Sequence, residues 1–278
     1  MSDANLATLL VLISAFMHAS WNAVVKSSSD RLSSMAMVDG VAFVVALALL
    51  PFVDLPSLEI WVVIGLSTLV NLFYRYFLIR AYTFGDFGQV YPLVRGLPPL
   101  LVVVFAAFWL GESLPGLGIL GVVVLSLGVL SLLHVTQNWQ APRNALAAGV
   151  CVALYTVIDA HGVRTSESVL QYLVYFTLLL SVPIPLFAAW QRGPALGRHA
   201  RQHWRMSVFG GLTYCAAYAL VLWAMTLENV AKIAALRESS VIIGAVIATL
   251  LFKEPFGHRR LIAAITVTLG IILIKCAA

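Results

Sequence analysis

The 278-residue chain is 61% hydrophobic and 10% charged, with a mean hydropathy of +0.96. These values exclude a water-soluble globular domain, which needs roughly a quarter of its residues charged. The formal net charge of +5 calls for no nucleic-acid partner, because an uneven share of loop arginines and lysines across a membrane accounts for it.

A helix needs roughly 20 apolar residues to cross the hydrocarbon core, and its backbone polar groups must be paired internally. Ten stretches qualify: 4–25, 33–53, 58–82, 87–110, 114–134, 144–163, 169–190, 206–226, 230–252 and 261–276. The chain reads as an all-α integral membrane protein. The first stretch lacks a basic leading segment and a small-residue cleavage pattern, so it is read as a retained helix and not a signal peptide.

Along the first stretch, His18, Trp21, Asn22 and Lys26 form one polar stripe. The third ends in Tyr74, Arg75, Tyr76 and Arg80; both arginines are expected to snorkel to the interface, with Arg75 deep enough to guide an anion. In the fourth, Tyr91 and Arg95 lie four apart on one helix face, and Pro92 and Pro98–Pro99 should bend the helix. Tyr155, Thr156, Asp159 and Arg164 run along the sixth. Tyr214 and Tyr218 sit four apart in the eighth. Arg237 and Glu238 lie in the ninth among Ala234, Ala235, Ser239, Ser240 and Gly244. Cys151, Cys215 and Cys276 all fall in apolar stretches, which suggests neither a disulfide nor a metal framework.

The connections are short except 191–205, which carries four arginines with His199 and His203. No third ligand accompanies the two histidines, so this segment is expected to lie on anionic headgroups. Lys26, Arg31, Arg80, Arg143, Arg192, Arg198, Arg201, Arg205, Lys253, Arg259 and Arg260 gather on one side, against Arg164 and Lys275 on the other. The first side is expected to be cytoplasmic, which places both termini outside the cytoplasm in a bacterial-type inner membrane.

The chain is duplicated. Arg95 and Arg237, Glu112 and Glu254, and Gly128 and Gly270 are each 142 residues apart; Lys26 and Arg164 are 138 apart. Two five-helix units are implied, 1–138 and 143–278. Five is odd, so the second unit enters the membrane from the opposite side. Inverted repeats are a plan of secondary transporters, with the solute site at mid-depth between the halves.

The run from Arg80 to Leu130 resembles the EamA repeat of the drug/metabolite transporter superfamily, through Pro92–Leu93, Gly111–Glu112 and the glycines 118, 121 and 128. A second copy keeps Glu254 and Gly270 and lacks the proline pair. The resemblance implies that spans one, three, four, six, eight and nine line a central cavity. Spans five and ten would lie outside it, and the paired helix ends between spans three and four and between eight and nine would help to gate it.

Charges at mid-membrane are expensive and usually functional. Arg95 and Arg237 are expected to clamp an anionic group, with Tyr91, Trp21, Asn22, His18, Asp159, Glu238, Tyr74, Tyr214 and Tyr218 completing the site. Each arginine has the alternative of pairing with Glu238, Asp159 or Asp39. Asp159, Glu238 and His18 are candidate carriers of a coupling proton. Glu112 and Glu254 sit at helix ends, where capping or loop anchoring is expected. No nucleotide, dinucleotide or metalloprotease motif is present, so neither an enzyme nor a cofactor is expected. The partners are a small-molecule substrate, the lipid bilayer and protons, with the protein a monomer or homodimer. The expected function is alternating-access transport, as an exporter, of an anionic or zwitterionic metabolite such as an amino acid. The alternatives are an organic-cation exporter built on the aromatic residues and an acid, and a membrane enzyme or scaffold that moves no solute.

Overall fold

A computed structural model describes residues 2–85, 87–132, 139–243, 246 and 258–277. Among these residues there are helices and no strands. Spans one to three are single helices, α1 (Asp3–Ser27), α2 (Arg31–Leu49) and α3 (Leu58–Phe84). The fourth is two helices, α4 (Phe87–Gly96) and α5 (Pro98–Leu110). It is followed by α6 (Gly116–Leu130) and α7 (Gln140–Thr165). The seventh is also divided, into α8 (Val169–Leu180) and α9 (Pro183–Arg192). Then come α10 (Pro194–Leu227), α11 (Val230–Arg237), which opens the ninth span, and α12 (His258–Cys276).

Local chemistry sets these boundaries. Asp30, Ser57, Ser168 and Asn229 each accept a hydrogen bond from a backbone N–H in the first turn of the helix they precede, satisfying donors that a helix start leaves open. Gly111 ends α5 in a left-handed conformation (φ 66°), and the N–H of Glu112 turns back to the carbonyl of Ala106 at 3.2 Å. Proline begins α5, α9 and α10, where its missing N–H does no harm.

Three expectations require correction. Segment 191–205 is largely helical: α10 starts at Pro194 and is kinked at His203 (φ −119°, ψ 16°) before it enters the membrane. The seventh span is broken at Ser181–Val182, ahead of Pro183. The helix of the fifth span runs 116–130, shorter than the stretch of apolar sequence.

The packing follows the duplication. The most extensive helix pairs are α3 with α7 and α1 with α10, span three against six and span one against eight. Exchanging the two repeats converts one pair into the other. The α6–α12 pair, spans five and ten, maps onto itself. These two cross at glycine: a Cβ on Gly121 would lie 2.8 Å from the carbonyl oxygen of Gly270, and one on Gly270 would meet Leu125. Small residues permit this backbone approach.

The loops sort onto two faces. Asp30 before α2 bonds Arg192 at the end of α9. On the opposite face, Gln171 reaches the Asp54 carbonyl before α3, and Arg164 reaches Glu112 and Glu228. That sorting requires an odd number of crossings in each repeat. The chain is an all-α, ten-span membrane protein of two inverted five-helix repeats.

Helix α7 is innermost: 72% of its most apolar window is buried, against 44% for the next span. Its Ala141, Ala145, Ala148, Gly149, Ala153 and Ala160 leave room for neighbours on all sides. Phe52, Leu58, Phe108 and Trp190, each more than three-quarters exposed, face acyl chains or the interface, as suits a protein whose solvent is lipid. The apolar groove between Phe105, Phe108, Trp109 and Leu154 belongs to this outer surface.

A polar chamber where two broken helices meet

Spans four and nine are interrupted at equivalent depths. In span four, Pro98 and Pro99 have no N–H to offer the carbonyls of Val94 and Arg95, so α4 stops at Gly96. In span nine, α11 stops at Arg237; Glu238 takes a tight turn, its N–H on the Ala235 carbonyl at 3.0 Å and its own carbonyl accepting from Val241 at 2.9 Å. The sequence duplication thus puts Arg95 and Arg237 at the last residue or last turn of a half-helix. The break in span four nests on α7, where a Cβ on Gly149 would lie 3.2 Å from the Leu97 side chain.

The two arginines differ in their surroundings. Arg95 crosses to the other repeat. Its Nη2 donates to Ser240 Oγ at 2.6 Å and reaches the Arg237 carbonyl at 3.5 Å, and its Nε lies 3.2 Å from Glu238 Oε2. It therefore meets both a carboxylate and the negative end of α11. Glu238, expected to face the solute, is 4% exposed and engaged with Arg95. The side chain of Arg237 has no hydrogen-bond or ion-pair partner among the described residues. The helix it ends, α11, packs against α5, α1 and α7.

Aromatic rings form the walls. His18 and Trp21 meet edge to face at 5.3 Å, Trp21 and Tyr214 at 5.5 Å, and Tyr74 and Tyr155 at 5.9 Å. The indole N–H of Trp21 is buried and has no acceptor among the described residues. The hydroxyls of Tyr74, Tyr155 and Tyr214 likewise make no hydrogen bond there. His18, Tyr74 and Tyr214 are half-buried. Asn22, one turn nearer the Lys26 end of α1, is exposed and donates to the His18 carbonyl at 2.7 Å. Tyr91 lies on α4, and its side chain, like that of Lys26, is not among those described.

Asp159 does not hold an arginine. It is 1% exposed, and three hydroxyls donate to its carboxylate: Ser67 and Tyr172 (2.8 Å) to Oδ1, and Tyr218 (2.5 Å) to Oδ2. Spans three, seven and eight thus converge on the acid of span six. Tyr218, expected on the solute wall, is turned to Asp159 and stacks on Phe176 at 5.1 Å. Ser67 and Tyr172 carry no signal in the sequence: each is a single hydroxyl in an apolar helix.

Arg75 does not snorkel. Its Nη1 pairs with Asp39 Oδ2 at 2.9 Å, its side chain 13% exposed and that of Asp39 fully buried. At the far end of α7, Arg164 ties three loops together. Its Nε donates to the Met225 carbonyl (2.7 Å), its Nη2 to the Glu228 carbonyl (3.0 Å) and its Nη1 to Glu112 Oε1 (2.5 Å); Glu112 Oε2 accepts the Val230 N–H at 2.8 Å. Glu112 is a loop anchor, as expected. Its repeat counterpart Glu254, with Lys253 and Gly244, lies outside the described residues.

The comparisons agree with this architecture. Residues 5–133 and again 144–276 match the EamA-like transporter family. No curated protein matches the chain. A solved structure titled "Crystal structure of protein" has the same fold, with a TM-score of 0.75 at 18% identity over 99% of this chain and 98% of that one. The two family matches together take in nearly every residue, and the chain belongs to the EamA-like transporter family, a multi-pass membrane transporter and not an enzyme.

Proposed function

We propose that this transporter moves a small anionic or zwitterionic metabolite, an amino acid or a related compound, by alternating access across a bacterial-type inner membrane, with both termini outside the cytoplasm and export as its working direction. One observation carries the reading: the Arg237 guanidinium stands at the break of its span with no side-chain partner among the described residues, in a part of the protein that also holds tyrosine hydroxyls and an indole N–H without acceptors there. Donors without acceptors at mid-membrane suit a solute that brings acceptors. The Arg164–Glu112 knot ties the loops opposite Lys26, and Asn22 is exposed toward Lys26. These features fit a state closed on the Arg164 face and open to the other.

An amine exporter would need an accessible acid. Asp159 is buried under three hydroxyls, and Glu238 is held by Arg95, so the anion reading is favoured. Asp159 is the group we assign to a coupling proton, because its hydroxyl donors come from three helices that must shift if the chamber changes face.

The test is flux in proteoliposomes. Uptake of a labelled amino acid mixture should be inhibited by small carboxylates and not by organic cations, and an imposed pH gradient should drive it in wild type and not in Asp159→Asn. Inhibition by cations alone would replace this reading with the amine exporter; absence of any flux would remove the carrier.

A further inference from the structure

The two arginines are repeat equivalents, but their surroundings are not. The acceptors that hold Arg95 are Glu238, Ser240 and the carbonyl of Arg237. Their counterparts 142 residues earlier, which would hold Arg237, are Gly96, Pro98 and the carbonyl of Arg95. Neither Gly96 nor Pro98 has a side-chain acceptor. Gly96 also has no space for one: a Cβ there would lie 2.9 Å from Leu130 Cγ and 3.3 Å from the Ser126 carbonyl oxygen. Span five therefore keeps an acid out of the place that Glu238 occupies in the other repeat.

Charge accounting leads to the same place. Arg95 is offset by Glu238, and Arg75 by Asp39. Asp159 is satisfied by hydroxyls. Arg237 is left with no protein anion in contact among the described residues; it ends α11, which packs against α1, and α1 carries the buried Trp21 indole N–H that has no acceptor among those residues. Asp159 balances that charge at a distance but does not touch the guanidinium, and donors left without acceptors deep in a membrane are expensive, a cost that a solute bringing its own acceptors removes.

We propose that Arg237, with the Trp21 indole N–H, is the anion-binding group of the chamber, and that Arg95 is a strut joining spans four and nine that does not touch the solute. The ligand class is a solute with a single anionic head, a monocarboxylate or the carboxylate of an amino acid; a dianion that needs two guanidiniums finds one. This deepens the anion reading above and rests on it.

The experiment is thermal stabilisation of purified protein by acetate, benzoate, alanine, aspartate and inorganic phosphate at constant ionic strength, in wild type, Arg237→Gln, Trp21→Phe, Arg95→Gln and Arg95→Gln/Glu238→Gln. The expected result is stabilisation of wild type by monocarboxylates at concentrations at which phosphate has little effect. Arg237→Gln should fold with wild-type stability and lose about tenfold to a hundredfold in apparent affinity, the worth of one charge-assisted hydrogen bond. Trp21→Phe should weaken binding by a smaller factor. Arg95→Gln should lower the melting temperature, and the double variant should recover it and bind the carboxylate as wild type does. Equal loss of binding in Arg237→Gln and in the stable double variant would overturn the division of roles while leaving an anion carrier. Unchanged binding in Arg237→Gln would also overturn it. Wild type that responds to none of the five anions would overturn the anion reading itself.

Discussion

Replacing Glu112 by Gln should open the face of the protein that Arg164 closes. Glu112 makes two contacts through one carboxylate, a 2.5 Å ion pair with Arg164 and a 2.8 Å hydrogen bond from the Val230 N–H. Gln can keep the second but not the charge of the first. The two side chains are 28% and 16% exposed, so the pair is worth less than a buried one and more than a fully solvated one, about 1–2 kcal/mol. If the knot is made in one state of the alternating cycle and broken in the other, the whole of that energy appears in the equilibrium between them, a shift of roughly 5- to 30-fold. The assay is labelling of a cysteine placed at Tyr74, on a background with Cys151, Cys215 and Cys276 replaced, by a membrane-impermeant maleimide added from the Glu112 side of oriented vesicles. The rate should rise by that factor in Glu112→Gln and in Arg164→Gln, and fall for reagent added from the opposite side. Equal rates in wild type and both variants would refute the assignment of the knot as a gate, since a contact present in both states cannot bias them.

The remaining expectations concern stability and pH. Removing Asp39 leaves Arg75 buried without its counter-ion, so Asp39→Ala should destabilise by about 3–5 kcal/mol and Asp39→Ala/Arg75→Met should recover most of it, read by thermal unfolding in detergent. Gly121→Val should cost about 1–3 kcal/mol, because even a Cβ lies 2.8 Å from the Gly270 carbonyl oxygen and the Ile274 nitrogen; Gly116→Val, with open space at its Cβ, is the matched control in the same unfolding assay. Asp30 is pulled down to about 2, chiefly by its hydrogen bonds with Arg192. A depressed carboxylate contributes above its ordinary value and loses that contribution as pH falls through the folded one, so the Asp30–Arg192 contact should persist from pH 8 to 4, and the loss of melting temperature in Asp30→Asn relative to wild type should be the same at pH 8 and pH 5. His199 is held below the ordinary imidazole value by burial first and by His203 second. Its neutral form is therefore favoured in the fold, and its bond with Ser34 (3.1 Å) contributes fully above about pH 6.5 and fades below it. Hydrogen exchange across residues 194–202, corrected for intrinsic rates, should quicken between pH 7 and 5.5 and should not do so in His199→Gln.

The membrane class, the ten spans and the duplication were legible because they depend on sums over many residues. Twenty apolar positions announce a span whatever their neighbours do, and a 142-residue offset survives local changes. Which of several neighbours a polar side chain would choose was not legible. Arg75 and Asp39 lie 36 positions apart on different helices, and nothing in either helix names the other. Asp159 was recognised as an intramembrane acid, but its donors Ser67 and Tyr172 look in the sequence like any hydroxyl in a hydrophobic helix. The pairing of Arg95 with Glu238 was open beforehand, since Asp159 and Asp39 were equally acidic and equally intramembrane. Distance in the folded chain chose among them. Helix breaks were half legible. Pro98–Pro99 announces the break in span four, but the first helix of span nine stops at Arg237 with no proline, its last turn tightened through Glu238.

That last difference bears on how a duplicated protein can act directionally. Perfect inverted repeats would give two conformations of equal energy, with a solute site that looks the same from both sides. Here the breaks are alike in depth and unlike in chemistry: one presents glycine and proline, the other glutamate and serine. Arg95 has acceptors within the protein and the Arg237 side chain has none among the described residues, so under the proposed division of roles exchanging the conformations of the repeats does not exchange the arginines. The knots at the two faces can differ for the same reason, because Arg164 has a five-donor fork that reaches three acceptors at once, whereas its counterpart Lys26 would bring a single ammonium. In the cycle proposed above, the state closed on the Arg164 face is the better tied of the two. In that proposed cycle the empty carrier rests on one side, and a solute loaded on Arg237 would have to supply the differential affinity that moves it to the other.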